Sequence, residues 1–435
     1  MTDILLFASF ILLIVSIFLF RKLVGNTVVA AFYGLYTSIF IAILPAMYIG
    51  GSHFLSISST YNIYMPSYIR GCFIFVLLST FIFFIFGIVK IKPRSLLPGL
   101  ATIKTIRNQD VMIVSSVFFG ISYLALSHIN GSFFYMLSHI NEFSLVQDIK
   151  RGGWVFVVLS SCYIYPFLLS IDRMATGKNP IARLSILTVV FMLTSIFVFK
   201  ADNRSVLIIY IITAYLAYQR ARREDSRTTI KSLVSLALLA LFIVYILIVG
   251  NQWRMGDASF FPSKSDFLLF LSILQENFLQ VENSLVLLHY FSFHNYVGYK
   301  YLGAVISGYA MIPSVILPFH KIDTGLESIL TIKLFGSSLP RMYAPNSTLT
   351  FTIPFSGYAE GGYLGLAITS SMYSILLSVV GVTYKLSKDT NRVFVSFVLL
   401  ITILAFRLSL ESTIITAYIS LLFYVTIAIL TKIRI

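Results

Sequence analysis

The chain has 435 residues, of which 58% are hydrophobic and only 11% charged, and its mean hydropathy is +0.89. A soluble domain cannot cover so much apolar surface with polar side chains, so this composition excludes a soluble globular protein and predicts a membrane protein. The net charge of +15 is also accounted for by membrane orientation and anionic lipid, and we therefore expect no nucleic-acid partner.

Eleven apolar stretches are long enough to cross about 30 Å of hydrocarbon as helices. In chain order they are Ile4–Phe20, Val28–Ile49, Gly71–Val89, Val111–Ile129, Trp154–Ile171, Leu184–Phe199, Val206–Tyr218, Leu233–Gly250, Tyr363–Tyr384, Val393–Leu408 and Thr413–Leu430. The predicted fold is therefore an all-α polytopic integral membrane protein. Residues 1–250 contain the first eight spans, and residues 363–435 contain the last three.

Every second loop between the predicted spans is basic. Arg21, Lys90, Asp172, Arg220 and Lys385 each begin a loop that we assign, with the C-terminal tail, to the cytoplasm. This assignment satisfies the positive-inside rule and puts the N-terminus on the outer face. The whole net charge of +15 then lies on the cytoplasmic side.

Residues 251–362 form one long segment on the outer face. Its patterning predicts helical runs over Phe267–Phe278 and Asn283–Phe291, both lying at the membrane interface. Tyr301–Phe319 is almost long enough to span, but four helix-breaking residues interrupt it: Gly303, Gly308, Pro313 and Pro318. A further span here would disrupt the charge alternation, so we expect a re-entrant or surface-lying segment.

Metal and disulfide chemistry find no support in the sequence. Cys72 and Cys162 both fall inside predicted spans, and the six histidines show no metal-ligand spacing. We expect neither a metal site nor a cofactor.

Arginines recur at the outer ends of predicted spans. Two span pairs have barely enough residues to cross twice, so Arg204 in one pair and Arg407 in the other must sit low in the outer leaflet, with Glu411 beside Arg407. Arg254 lies just beyond the eighth span, and Arg341 lies in the outer segment.

Ionisable groups at this depth are costly and usually functional. The alternative is that each arginine pairs with its own neighbour as a helix-end anchor, with Asp202, Asp257 and Glu411 as the partners. A guanidinium binds diphosphate oxygens bidentately and stays charged at any working pH, so a lipid diphosphate is the ligand that fits.

A polar and aromatic stretch with one acid precedes the ninth span, in Phe355-Ser356-Gly357-Tyr358-Ala359-Glu360-Gly361-Gly362. A carboxylate at a partly dry site can take a proton from a sugar hydroxyl, which makes Glu360 a candidate base with Tyr358 in support. The alternative is a glycine-rich helix entry in which Glu360 only favours the helix dipole.

The chain resembles the O-antigen polymerase family, integral-membrane glycosyltransferases that join lipid-linked oligosaccharide repeats. The resemblance lies in the plan of many spans with one long late outer loop, and in four short strings. These are Asp202-Asn203-Arg204-Ser205, Gln252-Trp253-Arg254, Met311-Ile312-Pro313-Ser314 leading into residues 344–362, and Arg407-Leu408-Ser409-Leu410-Glu411-Ser412. In enterobacterial-common-antigen relatives the last string reads more like Arg-Glu-Gly-Leu, so the acid is placed differently here.

The resemblance implies a GT-C-like architecture in the bacterial inner membrane, with residues 251–362 as a large periplasmic loop. Donor and acceptor would both be oligosaccharides on undecaprenyl diphosphate. The implied diphosphate and sugar ligands are Arg204, Arg254, Arg341, Arg407, Tyr358 and Glu411, with Glu360, Arg254 and Arg407 catalytic. No metal is implied, and a flippase and a chain-length regulator of the same pathway are the implied partners.

Two other functions remain open. The related ligase, which transfers finished glycan to a lipid core, typically relies on a histidine in the outer loop, and His320 is the candidate here. A lipid-oligosaccharide flippase would also need cations in the membrane, but it would carry them on many helices around a central cavity.

Overall fold

The computed structural model of the protein describes residues 2–49, 63–88, 153–199, 204–222, 283–298, 351–387 and 389–407, with seven single positions besides. All regular structure in these ranges is helical, and no strand occurs in them. The predicted spans Leu233–Gly250 and Thr413–Leu430 lie outside the described residues, apart from Tyr245. Of Val111–Ile129, only four single positions are described.

Ten helices, labelled α1 to α10, occupy the described ranges. They are α1 (Thr2–Val24), α2 (Thr27–Ser38), α3 (Leu44–Ile49), α4 (Met65–Ile88), α5 (Gly153–Thr176), α6 (Pro180–Phe199), α7 (Arg204–Ala221), α8 (residues 283–293), α9 (Ile353–Leu386) and α10 (Asp389–Leu404). A π-helix, Ile39–Ile43, joins α2 to α3, and a 3₁₀ turn, Ala405–Arg407, ends α10.

Four helical stretches in the described ranges are long and apolar enough to cross a membrane: Thr2–Val24, Thr27–Ala46, Met65–Ile88 and Ile353–Leu386. Three shorter apolar helices accompany them, at Pro180–Met192, Val206–Ala221 and Asn391–Leu404. The described ranges are thus all-α, and their long apolar helices are those of a membrane protein. The number of eleven spans and the orientation in the bilayer stay predictions.

The chain divides into two compact units. Unit 1 comprises Met1–Ile91, Ile273–Lys385 and Thr402–Thr416. Unit 2 comprises Lys92–Ser272, Leu386–Ile401 and Ala417–Ile435.

A two-residue turn makes α1 and α2 an antiparallel hairpin in unit 1. Gly25 (φ +70°) ends α1 in the left-handed conformation that glycine adopts without strain. Asn26 then caps α2, because its Oδ1 accepts hydrogen bonds from the backbone N–H groups of Val28 and Val29 at 2.9 and 3.1 Å. Phe20 packs against Tyr33 across this hairpin, with ring centroids 4.7 Å apart.

Side-chain contacts fix the directions of α1, α4 and α9 in unit 1. The Lys385 ammonium at the end of α9 donates to the backbone oxygen of Lys22 at the end of α1, at 3.0 Å. The hydroxyls of Ser79 in α4 and Ser374 in α9 are 2.8 Å apart, and nearer the start of both segments a Cβ on Gly71 would lie 3.0 Å from the Leu366 side chain. The Thr80 hydroxyl of α4 also lies 3.3 Å from the backbone oxygen of Leu12, ten residues before Lys22 in α1. The three helices therefore run in the same direction, and the basic ends of α1 and α9 lie together.

Unit 2 contains α5, α6 and α7, which pack through aromatic rings. Phe191 of α6 stacks on Tyr210 of α7 with centroids 4.0 Å apart, and Phe167 of α5 meets Phe191 edge-on at 5.0 Å. All three rings belong to buried residues. Pro180 stands at the first position of α6, where its missing N–H costs no helical hydrogen bond.

Candidate functional site

A break inside α9 sets the position of Glu360. The helix begins at Ile353, ten residues before the predicted span start at Tyr363, and it loses helical geometry at Gly361 (φ −160°, ψ 33°) and Gly362 (φ 62°, ψ −146°). Only glycine adopts the conformation of Gly362 without strain. Residues 353–360 thus form a first half-helix, every residue of which is buried. Glu360 is its last residue and is only 3% exposed.

The first half-helix packs closely against the second half of α9. A Cβ placed on Gly357 would collide with the Thr369 hydroxyl and lie 2.6 Å from the backbone oxygen of Gly365, so only glycine allows this approach. On another side, Phe355 stacks face to face on Tyr68 of α4, with centroids 4.5 Å apart. The half-helix therefore folds back against its own continuation and is buried in protein on both sides.

Backbone N–H groups of residues 297 and 298 form hydrogen bonds with the carbonyl groups at the break. The N–H of Val297 donates to the carbonyl oxygen of Ala359 at 2.9 Å, and the N–H of Gly298 donates to that of Glu360 at 3.0 Å. Without these bonds, a break at this depth would leave two carbonyl groups without their helical donors. The segment that follows α8 is therefore part of the Glu360 site.

A row of tyrosines leads from Glu360 toward the surface. Tyr296 meets Tyr358 edge-on with centroids 5.7 Å apart, and Tyr358 meets Tyr363 edge-on at 5.3 Å. The guanidinium of Arg70 lies 5.9 Å from the Tyr363 ring centroid, in the geometry of a cation–π contact. Tyr358 is buried, whereas Arg70 is exposed. The site thus combines one carboxyl group, three phenols and one cation.

Arg70 was not among the site residues predicted from the sequence. It precedes the predicted span Gly71–Val89 and was therefore assigned to a loop. In the structure α4 begins at Met65, so Arg70 lies inside a helix that is long and apolar enough to cross a membrane. Among the described residues Arg70 makes no ion pair, and its contact is with Tyr363. An arginine at such a position is a candidate ligand for an anion.

A second polar group joins α8 to the start of α4. His289 Nδ1 lies 3.0 Å from the Tyr64 hydroxyl, which in turn lies 3.2 Å from the Ser292 hydroxyl. Helix α8 matches the helical run predicted over Asn283–Phe291. The other predicted run, Phe267–Phe278, and Tyr301–Phe319 lie outside the described residues.

The predicted arginines are described in part. Arg204 is the first residue of α7, in unit 2, and Arg407 ends the 3₁₀ turn after α10, in unit 1; for both, only the backbone is described. Arg254, Arg341 and Glu411 lie outside the described residues. Of the predicted site residues, Tyr358 and Glu360 both lie in the first half-helix of α9, and the proximity of the arginines to them stays a prediction.

The backbone that carries Arg407 is held by two phenols. Tyr373 donates to the carbonyl oxygens of Thr402 and Ile403 at 3.0 and 3.3 Å, and Tyr36 donates to that of Leu404 at 3.1 Å. Carbonyls at the end of a helix lack intrahelical donors, and these hydroxyls supply them. Phe406 packs next to them, 4.9 Å from Phe75 between ring centroids.

Within the described ranges, no group of three or more His, Cys, Asp or Glu residues could hold a metal ion. Glu360 contributes a buried carboxyl group at the break, and such a group can accept a proton from a bound hydroxyl group and orient it. Comparison with family models, curated proteins and solved structures finds no match to this chain, so the function has to be inferred from the chemistry of the site.

Proposed function

We propose that this protein polymerises undecaprenyl-diphosphate-linked oligosaccharide repeats into O-antigen or a similar surface polysaccharide, at the periplasmic face of the bacterial inner membrane. The observation that carries the proposal is Glu360, buried at a helix break between tyrosines. Glu360 and Arg70 both lie in unit 1, toward one end of the bundle of α1, α4 and α9. The basic residues Lys22 and Lys385 lie at the opposite end of that bundle. A base facing away from the cytoplasm is what this reaction needs.

The reaction is a glycosyl transfer without a metal. The non-reducing-end hydroxyl of the acceptor repeat attacks the anomeric carbon of the donor glycan, and the bond from that carbon to the diphosphate oxygen breaks. Glu360 takes the proton of the attacking hydroxyl, and undecaprenyl diphosphate leaves. Fixed cations stabilise the departing diphosphate, and we assign this role to Arg204, Arg254 and Arg407, with Arg341 on diphosphate or sugar.

The surroundings of Glu360 support its role as the base. A carboxyl group that is withdrawn from water can hydrogen-bond a bound hydroxyl group without competition from solvent. The side chain is 3% exposed, and the Tyr358 ring two residues earlier lies between Tyr296 and Tyr363. Tyr358 supports the base, and Glu411 supports Arg407 in the same scheme.

The partners follow from the reaction. Donor and acceptor are both lipid-linked, so the membrane lipid is part of the site's surroundings. A flippase must deliver the repeats to the outer face, and a chain-length regulator of the same pathway is the expected protein partner.

One observation favours a ligase as the second candidate. The related ligases depend on a histidine in the outer loop, and His289 of the outer segment is held by Tyr64 at 3.0 Å. His320, the candidate from sequence, lies outside the described residues. Gene deletion separates the two functions, because loss of a polymerase leaves one repeat on each lipid core and loss of a ligase leaves none.

The test of the arginine assignment is complementation of the deletion strain. Arg204→Ala and Arg407→Ala are expected to abolish the ladder of polymer lengths on a polysaccharide gel, because the diphosphate would lose its cationic ligands. Arg173→Ala is the control, since Arg173 is exposed in the last turn of α5. Normal ladders from either test variant, at wild-type protein levels in the membrane, would refute the assignment.

A further inference from the structure

Tyr296 is the most exposed member of the tyrosine row. It is 45% exposed, whereas Tyr358 behind it is buried. Its ring stands edge-on to Tyr358 and is tilted by only 27° to Phe291, whose centroid is 5.7 Å away. One side of the phenol thus lies against the protein, and the rest is open.

The position of Tyr296 is fixed by the break in α9. The next two residues, Val297 and Gly298, donate their N–H groups to the carbonyls of Ala359 and Glu360. A Cβ built on Gly362 would lie 2.9 Å from the Tyr296 hydroxyl oxygen, so the phenol occupies the space that a side chain there would need. The two backbone hydrogen bonds from Val297 and Gly298 therefore hold the preceding residue, Tyr296, next to the break in α9.

The neighbours of Tyr296 are those of a water-facing site. Residues 292–296 are all exposed, and three of them are the polar residues Ser292, His294 and Asn295. His294 is ordered by a 2.9 Å contact from Nδ1 to the backbone oxygen of Tyr290, and its ring stacks on that of Tyr290 with centroids 4.0 Å apart. Burying so many neighbouring polar side chains in hydrocarbon would be costly, so we infer that this surface faces water and not lipid.

We propose that Tyr296 contacts the saccharide of the lipid-linked substrate at the Glu360 site, with Val297 and Gly298 holding it there; this rests on the proposed function. A sugar ring presents both C–H groups and hydroxyls. A half-exposed phenol meets both, because its face is apolar and its edge carries a hydroxyl. The contact makes Tyr296 a determinant of which saccharide the site accepts.

The experiment measures binding to the full-length protein in lipid nanodiscs. One probe is the lipid-linked repeat extracted from cells that lack this protein, and the other is undecaprenyl diphosphate without sugar. Tyr296→Ala is expected to weaken binding of the lipid-linked repeat about tenfold and to leave that of undecaprenyl diphosphate unchanged. Tyr296→Phe keeps the ring and should lose much less.

The control is Phe18→Ala, at a 60% exposed position of α1, which is expected to bind both probes as the wild type does. Equal losses for both probes in Tyr296→Ala would mean a lipid or diphosphate contact and would overturn the proposal, as would no loss for either. If Tyr296→Ala does not fold, Tyr296→Leu keeps bulk at the position and gives the same comparison. Failure of the wild type to bind the lipid-linked repeat would instead refute the proposed function itself.

Discussion

At the scale of single residues, Glu360 carries the chemical argument. A carboxyl group that is 3% exposed in a membrane-crossing helix is costly, and a chain under selection for stability alone would place an apolar residue there. Its neighbours Tyr358 and Tyr363 add rings and hydroxyls rather than a metal-ligand set. Substitution of Glu360 is therefore the most direct test of the proposed chemistry.

Glu360→Gln is expected to abolish polymer ladders while the protein still inserts into the membrane. The substitution keeps the size and polarity of the side chain but removes its ability to take a proton, and general bases contribute about 10²–10⁴-fold to rate. Polysaccharide gels of the complemented deletion strain provide the measurement. Asp3→Asn, at an exposed acid in the first turn of α1, is the control. Wild-type ladders from Glu360→Gln would remove Glu360 from the mechanism.

At the scale of elements, the break in α9 depends on glycine. Gly362 has φ +62° and faces Tyr296, so both its backbone conformation and its lack of a side chain are needed. The contrast is Gly87 in α4, where a Cβ would meet nothing within 4 Å and the backbone is helical. The same substitution should thus have opposite effects at the two positions.

Gly362→Ala is expected to destabilise unit 1 by roughly 1–3 kcal/mol, the usual cost of a strained backbone conformation, plus the displacement of Tyr296. Gly87→Ala should stabilise the protein by up to about 1 kcal/mol, because alanine is the better helix former. Thermal unfolding of the detergent-purified proteins measures both midpoints. A Gly362→Ala midpoint at or above that of the wild type would contradict the described break.

At the scale of the whole molecule, parallel helices and basic ends define an orientation. Helices α1, α4 and α9 of unit 1 run in one direction, and Lys22 and Lys385 lie at their common end. Cytoplasmic placement of that basic end is what the positive-inside rule predicts. The Glu360 site would then face the periplasm.

Cysteine labelling tests this orientation. In a Cys72→Ala, Cys162→Ala background, Asn295→Cys is expected to react in intact cells with a maleimide that cannot cross the inner membrane. Lys22→Cys should react only after the membrane is permeabilised. Both positions are exposed in unit 1, so accessibility to water and not burial decides the result. The reverse pattern would place the site in the cytoplasm and exclude the proposed reaction.

The sequence by itself determined the class of the protein, because long apolar stretches have no stable state in water. The direction of the spans, inferred from the basic loops, stays a prediction. The sequence also singled out Glu360 and Tyr358, since an acid among glycines and aromatics stands out beside a span. It could not place the start of α9, because Pro354, Gly357 and the glycine pair at 361–362 suggest a loop. Only tertiary packing against Tyr68 and Thr369 makes that stretch a buried half-helix.

The placement of Arg70 and Tyr296 at the same row of rings likewise could not be predicted from the sequence. They are 226 positions apart by number and belong to separate elements, and a single chain pattern carries no signal for contacts between such distant residues. Tertiary structure decided that both lie in the row of rings at the break, because two backbone hydrogen bonds from residues 297 and 298 and one cation–π contact bring them to α9. Hydropathy depends on composition, which the sequence contains, whereas a site depends on which elements meet.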